Sequence, residues 1–208
     1  MQTLCQCDVS VIIPVYNLED YITPMIESLK RQDLGEYKAE YIFVLNNCTD
    51  RSEEVIRKSG IECQIYECEA QGCGCARNVG FEHSKGKYIW FMDGDDWLLS
   101  DTAIKDVLLI AYGYDLGILR VPFESERFAY DYFSMVWQYL LRRDLIEEFR
   151  FRQQQPAEDD EFMAKVLYKA GYSPATYMQL PHIKKAQYYY NYLREGSNMY
   201  RYYLGEQI

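Results

Sequence analysis

Residues 88–97 read YIWFMDGDDW, and this stretch carries the most information about the fold. The apolar, aromatic run predicts a buried strand, which stops at three aspartates grouped around one glycine. A carboxylate is costly to bury without a partner, so this ending predicts a compensating cation. Oxygen ligands suit Mg²⁺ or Mn²⁺, and a turn at Gly94 would let Asp93 and Asp95 reach one ion. The alternative is a polar turn that caps a helix beginning near Trp97.

Strand and helix patterns alternate along the first hundred residues. β-Branched and aromatic runs predict strands at 9–16, 40–45, 63–67 and 88–92. Helices are predicted at 21–29, around Val55 and Ile56, and at 76–83, the last after a glycine-rich turn at 71–75. This order predicts an α/β fold with a mostly parallel central sheet flanked by helices.

Polar segments follow three of these predicted strands, at 14–17, 46–50 and 93–96. In parallel sheets, ligands bind outside the carboxyl ends of the strands. We therefore expect the three segments to converge and to form one site.

The second half of the chain is less regular. Residues 116–122 predict a strand, 133–141 fit a helix or a strand, and 142–149 predict a helix. A further helix is predicted from residue 157, with acids in its first turn, and final strands at 177–180 and 185–192. No decodable pattern in residues 112–155 identifies an acceptor.

Composition excludes some classes of protein. The formal net charge of −10 argues against a nucleic-acid binder that works through a basic patch, and mildly against tight docking on anionic lipid. No apolar run approaches the ~20 residues needed to span a bilayer, and no signal peptide is visible. We expect a cytoplasmic protein.

The seven cysteines do not indicate a disulfide framework or a zinc site. Their number is odd, and the Cys5-x-Cys7 and Cys73-x-Cys75 pairs lack zinc-site spacing and nearby histidines. Small buried thiols are therefore favoured over a structural metal.

Four segments, taken in order, resemble family 2 glycosyltransferases, the inverting nucleotide-sugar enzymes with a GT-A fold. They are VSVIIPVYN at 9–17, GCARNVG at 74–80, FMDGDDW at 91–97 and AED at 157–159. The resemblance runs from about residue 9 to residue 192. It implies one GT-A domain over residues 1–208, with a nucleotide-sugar-binding half at 1–100 and an acceptor-binding half at 101–208.

The resemblance implies a role for several residues. Asp93 and Asp95 would hold a divalent metal, Mn²⁺ or Mg²⁺, and Asp159 would be the general base. Within the run of acids at 158–161 the base is uncertain by one position, and a helix cap is the alternative. The nucleotide-binding residues would be Pro14, Tyr16, Asn17, Asn46, Asn47, Arg77, Asp93 and Gly94. Contacts to the sugar or acceptor would come from Asp96, Trp97, Trp137, Glu158 and Arg194.

The implied reaction moves a sugar from a nucleoside-diphosphate sugar, with UDP favoured, to a hydroxyl of a glycan or lipid-linked acceptor. If the protein acts at the inner face of a membrane, we expect at most peripheral association with that membrane. Arg194, in the segment Arg194-Glu195-Gly196-Ser197, would fold back over the diphosphate. Without the resemblance, Arg77 would be interpreted as part of a surface salt bridge.

One departure from the family pattern concerns base recognition. Residues 46–50 read NNCTD, where the family usually has Asp-Asp-Gly-Ser-x-Asp. Amides donate and accept hydrogen bonds but lack the strength of a charged acceptor. The change predicts altered base recognition and keeps open a catalytically silent relative that binds a nucleotide sugar or glycan. A nucleotidyltransferase is disfavoured, because 14–17 is not a glycine-rich basic loop.

Overall fold

The computed structural model describes residues 6–126, 132–152 and 158–191. Within these ranges a six-stranded sheet is covered by helices on both faces, and a three-stranded sheet lies beside it. In chain order the strands are β1 (Cys7–Val15), β2 (Ala39–Asn46), β3 (Gln64–Cys68), β4 (Gly86–Phe91), β5 (Trp97–Leu98), β6 (Ile118–Arg120), β7 (Phe123–Glu124), β8 (Tyr139–Arg142) and β9 (Tyr188–Tyr189). The helices are α1 (Thr23–Lys30), α2 (Ser52–Lys58), α3 (Cys73–His83), α4 (Ala103–Gly113), α5 (Arg143–Ile146) and α6 (Glu158–Lys169).

The large sheet has the strand order β3-β2-β1-β4-β8-β6. The first four of these strands are parallel, whereas β8 pairs antiparallel with both β4 and β6. The α/β class and the mostly parallel sheet are therefore confirmed. The antiparallel β6 and β8 were not predicted as such, because strand direction depends on distant pairing that a local pattern does not record.

Both faces of the central strands are buried, which explains their nearly continuous apolar sequence. Val11 and Ile13 of β1 face a layer that contains α1 and α4, while Ile12 faces the layer of α3 and α6. Side chains alternate between the faces of a strand, so adjacent β1 residues serve two separate cores.

The glycine-rich segment starts α3 earlier than predicted. The helix begins at Cys73 rather than at residue 76, directly after Gly72, whose φ is 113°. That backbone angle is one glycine adopts readily, so the chain reverses at Gly72 and leaves Gly74 and Cys75 inside the helix.

Several expectations for the remaining elements are wrong or only partly met. No helix begins near Trp97, because Trp97 and Leu98 pair with β9 and α4 starts at Ala103. The strand predicted at 177–180 is instead a 3-10 helix, Tyr177–Gln179. Residues 133–141 combine a 3-10 helix, Val136–Gln138, with the start of β8. The helix at 142–149 shortens to α5, and the last predicted strand shortens to β9.

The six cysteines of the described ranges are free thiols, and Cys68 and Cys75 among them are buried. Among the helices that the structure describes, none has the length and apolar character needed to cross a membrane.

Close packing of α3 on the sheet gives a direct test of this architecture. A Cβ on Gly80 would lie 2.3 Å from Cγ2 of Ile12 and 3.3 Å from Cγ2 of Val44. We expect Gly80→Ala to lower the free energy of unfolding by about 1–3 kcal/mol, since overpacking forces the helix off the sheet. Gly113→Ala is the matched control, because nothing lies within 4 Å of its Cβ. Urea unfolding measures both, and equal midpoints for the two variants would contradict this packing.

Candidate active site at the carboxyl ends of the parallel strands

The loops after β1 and β2 are joined by hydrogen bonds at the carboxyl edge of the sheet. Asn17 Oδ1 accepts from the Thr49 N–H at 2.8 Å, and the Glu19 N–H donates to Asp50 Oδ2 at 2.9 Å. Ser52 Oγ accepts from the Leu18 N–H at 2.7 Å. The structure therefore brings the predicted polar segments 14–17 and 46–50 together as one wall.

Tyr16 and Asn17 form the outer part of this wall. Tyr16 is 60% exposed, so its ring is open to stacking and is not a core aromatic. Asn17 has a φ of 49°, a left-handed conformation that asparagine tolerates better than most residues. Its side-chain oxygen bonds to the loop after β2, and its left-handed backbone ends the extended conformation of β1.

Asn46 is buried and stabilises the neighbouring turn at residues 68–72. It is 6% exposed, and its Nδ2 donates to the carbonyl oxygens of Cys68 at 3.1 Å and Ala70 at 2.6 Å. Its Oδ1 accepts from the Gly72 N–H at 3.1 Å. A carboxylate cannot donate to two carbonyls, so this position requires an amide. Asn46 thus shapes the turn at 68–72, and its side chain has no donor left for a nucleotide base.

Asn47 differs from Asn46 in exposure. It has a φ of 55°, and its Nδ2 donates to the Glu69 carbonyl at 3.1 Å in an exposed position. Its amide oxygen has no partner among the hydrogen bonds of the described residues. Of the two amides that replace the usual aspartates, Asn47 is the one exposed at the surface of the site.

Arg77 is the centre of the acidic part of the site. Its side chain is 4% exposed and forms ion pairs with Asp159 at 2.6 Å, Asp93 at 2.9 Å and Glu158 at 3.4 Å. Burial alone lowers the pKa of the guanidinium, but Asp159 and the other carboxylates raise this pKa well above its usual value. The Arg77 charge is therefore permanent, and it joins the end of β4 to the start of α6.

Asp159 lies in the first turn of α6 with its side chain 25% exposed. Burial raises its pKa, Arg77 lowers it, and Glu158 and Asp93 raise it further, so that the pKa reaches about 7. A carboxyl group with a pKa near neutrality can accept a proton efficiently from a bound hydroxyl. Its partial exposure leaves room for that hydroxyl to approach.

The turn after β4 is held against the first loop. The Asp96 N–H donates to the Asp93 carbonyl at 3.2 Å. A Cβ on Gly94 would lie 2.7 Å from Cδ1 of Leu18 and 3.2 Å from the Pro14 carbonyl oxygen. Only glycine allows this close approach, which brings the predicted Pro14 and Gly94 side by side.

Asp96 is turned into the protein. It is 1% exposed, and its two carboxylate oxygens accept from the Tyr188 hydroxyl at 2.6 Å and the Asn191 N–H at 2.8 Å. Burial and the neighbouring Asp95 and Asp93 raise the pKa of Asp96 well above its usual value. The structure therefore places this carboxyl away from a surface where a sugar could contact it.

The two predicted tryptophans have different environments. Trp97 is partly exposed and stacks on Tyr189, with ring centroids 4.0 Å apart. Trp137 is 3% exposed and packs on Tyr188 and Tyr190, at 4.9 Å and 4.8 Å. We therefore assign Trp137 to the core beneath β9, which corrects its expected role as an acceptor contact.

The acidic residues fit a cation that is shared with a substrate. Asp93 is 28% exposed, and Asp93 and Asp95 both lie close enough to Asp96 for their charges to raise its pKa. Through residues 6–126, 132–152 and 158–191, no group of three or more His, Cys, Asp or Glu side chains could hold a metal alone. Mg²⁺-type ions commonly take only one or two protein carboxylates and complete their shell with substrate phosphates and water. Asp93 and Asp95 match that pattern.

Two residues that contact the turn at residues 93–96 were not found by sequence reasoning. Tyr188 and Asn191 contact the aspartate turn from more than 90 residues away. The clustering of tyrosines near the C-terminus was the only local signal. The predicted Arg194 and its segment, together with Ala157 of the AED motif, lie outside the described residues.

A sequence model described as glycosyl transferase family 2 matches residues 10–166. The poly(ribitol-phosphate) beta-N-acetylglucosaminyltransferase TarS of Staphylococcus aureus is 28% identical over 120 residues, which make up 56% of this chain and 21% of TarS. The minor teichoic acid biosynthesis protein GgaB of Bacillus subtilis is 33% identical over 121 residues, 55% of this chain and 13% of GgaB. The matched region is thus a small part of either relative.

Solved structures share the fold. A crystal structure of S. aureus TarS 1-349 in complex with UDP-GlcNAc superimposes with a TM-score of 0.81 at 23% identity, covering 93% of this chain and 60% of that chain. The mannosyltransferase PcManGT from Pyrobaculum calidifontis, in complex with GDP-Man and Mn²⁺, gives a TM-score of 0.69 at 16% identity, covering 94% and 60%. These likenesses confirm the GT-A fold. Because the family match spans most of the chain, the protein belongs to glycosyl transferase family 2.

Proposed function

We propose that the protein is an inverting glycosyltransferase that moves a sugar from a nucleoside-diphosphate sugar to an acceptor hydroxyl. The observation that carries this proposal is the buried guanidinium of Arg77, bonded to Asp93 on one side and to Asp159 on the other. This contact sets the carboxylate assigned to the donor diphosphate beside the carboxylate assigned to the acceptor. Group transfer needs those two substrates next to each other.

The donor half of the site lies within residues 1–100. Pro14, Tyr16, Asn17 and Asn47 surround the proposed position of the nucleotide base, where the exposed Tyr16 ring can stack. Asn46 supports this pocket from inside, through its bonds to the turn at 68–72. We favour UDP as the nucleotide because the TarS structure was solved with UDP-GlcNAc, although PcManGT, with the same fold, was solved with GDP-Man.

Asp93 and Asp95 are the proposed metal ligands. A divalent ion bound there, Mn²⁺ or Mg²⁺, would neutralise the charge that develops on the diphosphate. PcManGT, which contains Mn²⁺, supports this choice of cofactor. Arg77 contributes its fixed positive charge beside Asp93 and keeps the two acidic groups from repelling each other.

Asp159 is the proposed base, with Glu158 beside it on Arg77. The Asp159 carboxylate takes the proton of the acceptor hydroxyl, whose oxygen then forms a bond to the anomeric carbon. The bond from that carbon to the diphosphate oxygen breaks, and its electron pair leaves with the diphosphate. Attack from the face opposite the leaving group inverts the anomeric configuration.

The acceptor half is assigned to residues 101–208, in one domain with the donor half. Trp97, partly exposed and stacked on Tyr189 beside the turn at 93–96, is the aromatic group that we assign to the sugar or acceptor. A glycan or a lipid-linked acceptor is the proposed acceptor class, in line with the poly(ribitol-phosphate) and teichoic acid names of the relatives. We place the reaction in the cytoplasm or at the inner face of the membrane, with at most peripheral attachment.

Nucleotide binding tests the proposal most directly. We expect UDP and a UDP-sugar to bind by calorimetry, with affinity that increases when Mn²⁺ is added, because the ion links the diphosphate to Asp93 and Asp95. GDP and GDP-sugars serve as the comparison. Binding without slow metal-dependent hydrolysis of any donor would favour a silent relative, and failure of every nucleotide to bind would exclude the nucleotide-sugar function.

Replacing the base separates chemistry from binding. We expect Asp159→Asn to lower kcat by about 10²–10⁴-fold, since the amide cannot accept the hydroxyl proton, while UDP still binds. Asp160→Asn is the matched control one position further along α6, because it removes a charge without touching Arg77. Equal activity losses in the two variants would contradict the assignment of Asp159.

The pH dependence provides a further check on the same group. Because the pKa of Asp159 is raised to about 7, chiefly by burial, the carboxyl group becomes protonated as the pH falls through neutrality. A protonated carboxyl cannot accept the hydroxyl proton, so kcat/KM should decline on the acid side of about pH 7 and level off above it. A profile that stays flat through neutral pH would contradict this role.

A further inference from the structure

The aspartate turn 93–96 is held by the segment that contains β9. Trp97 and Leu98 of β5, directly after the turn, pair antiparallel with Tyr189 and Tyr188. The Leu99 N–H also donates to the Gln187 carbonyl at 3.0 Å. The turn therefore leads straight into a ladder formed with residues from the other end of the chain.

Tyr188 contacts both ends of this turn with one atom. Its hydroxyl donates to Asp96 Oδ2 at 2.6 Å and accepts from the Asp93 N–H at 3.0 Å. The ring is fully buried and stacks on Trp137 at 4.9 Å, so the hydroxyl has little freedom to move. A phenylalanine ring would fill the same space and make neither bond.

Asn191 contacts the remaining part of the turn. Its backbone N–H donates to Asp96 Oδ1 at 2.8 Å, and its side-chain Nδ2 donates to the Asp95 carbonyl at 3.2 Å. Together with Tyr188, it bonds to atoms of Asp93, Asp95 and Asp96. Both oxygens of Asp96 have a donor from this segment, so Asp96 points inward.

We propose that Tyr188 and Asn191 are positioning residues for the metal: by holding Asp96 inside the protein, they leave the turn in the one shape that directs Asp93 and Asp95 to a shared cation. This inference rests on the proposed function. Three carboxylates so close together repel each other, and a free turn would spread them apart. Asp96 then serves as an anchor for the turn and is not a third ligand.

The test compares Tyr188→Phe with Tyr88→Phe by calorimetry of UDP binding, with and without Mn²⁺. Tyr88 is also buried, and its hydroxyl donates to the Ala111 and Leu116 carbonyls, at the other end of β4 from the turn. Loss of the two hydrogen bonds that the buried Tyr188 hydroxyl makes corresponds to roughly ten- to hundredfold in affinity. We expect Tyr188→Phe to reduce the Mn²⁺-dependent gain in UDP affinity by that factor, and Tyr88→Phe to leave the gain intact.

Metal-free UDP affinity distinguishes positioning from general stability. It should be unchanged in Tyr188→Phe, and equal losses with and without Mn²⁺ would overturn the proposal. Electron paramagnetic resonance of bound Mn²⁺ gives a second readout, which should show weaker binding of the ion in the presence of UDP.

Asn191→Ala keeps the test valid if Tyr188→Phe does not fold. It removes only the bond to the Asp95 carbonyl and should weaken Mn²⁺ binding in the same direction by a smaller factor. Wild-type Mn²⁺ affinity in both variants would overturn the inference while the proposed function stands. Absence of any Mn²⁺-dependent UDP binding in the wild type would instead overturn the proposed function as well.

Discussion

The site depends on one buried cation. Arg77 lies on α3 beneath the acidic groups, and its guanidinium bonds to Asp93 after β4 and to Glu158 and Asp159 at the start of α6. A buried charge that loses its partner is strongly destabilising, so these four side chains have to assemble together. The contact also joins the first half of the chain to the second, so the carboxylate proposed for the donor side and the one proposed for the acceptor side share one electrostatic unit.

The sheet determines where this unit forms. Parallel β1, β2 and β4 end at the same edge, and their loops meet there through short hydrogen bonds and through the close approach of Gly94 to Pro14. The small sheet of β5, β7 and β9 lies next to the turn at 93–96, because β5 follows that turn directly. Rigid strands with short polar loops place several charged groups accurately without a large core of their own.

Three asparagines determine the shape of the loops at this edge of the sheet. Asn17 and Asn47 adopt left-handed backbone conformations, and Asn46 braces the turn at 68–72 through three hydrogen bonds. The amide at position 46 is therefore a requirement of this turn, because a carboxylate there would face two carbonyl oxygens. This explains one half of the departure from the family pattern and leaves the exposed Asn47 as the position where we propose that base recognition differs.

Local pattern was enough to predict the parallel strands, the helices between them and the convergence of residues 14–17, 46–50 and 93–96 at one edge. These features follow from hydrophobic periodicity and from the geometry common to parallel sheets. Local sequence pattern did not predict the hydrogen-bond partners of individual polar atoms. Burial of Arg77 among three acids, the inward turn of Asp96 toward Tyr188, and the core position of Trp137 arise from contacts between residues 16 to 92 positions apart. Only the tertiary structure brings such residues together, so it alone decided which carboxylates remain partly exposed at the site and which are buried as structural contacts.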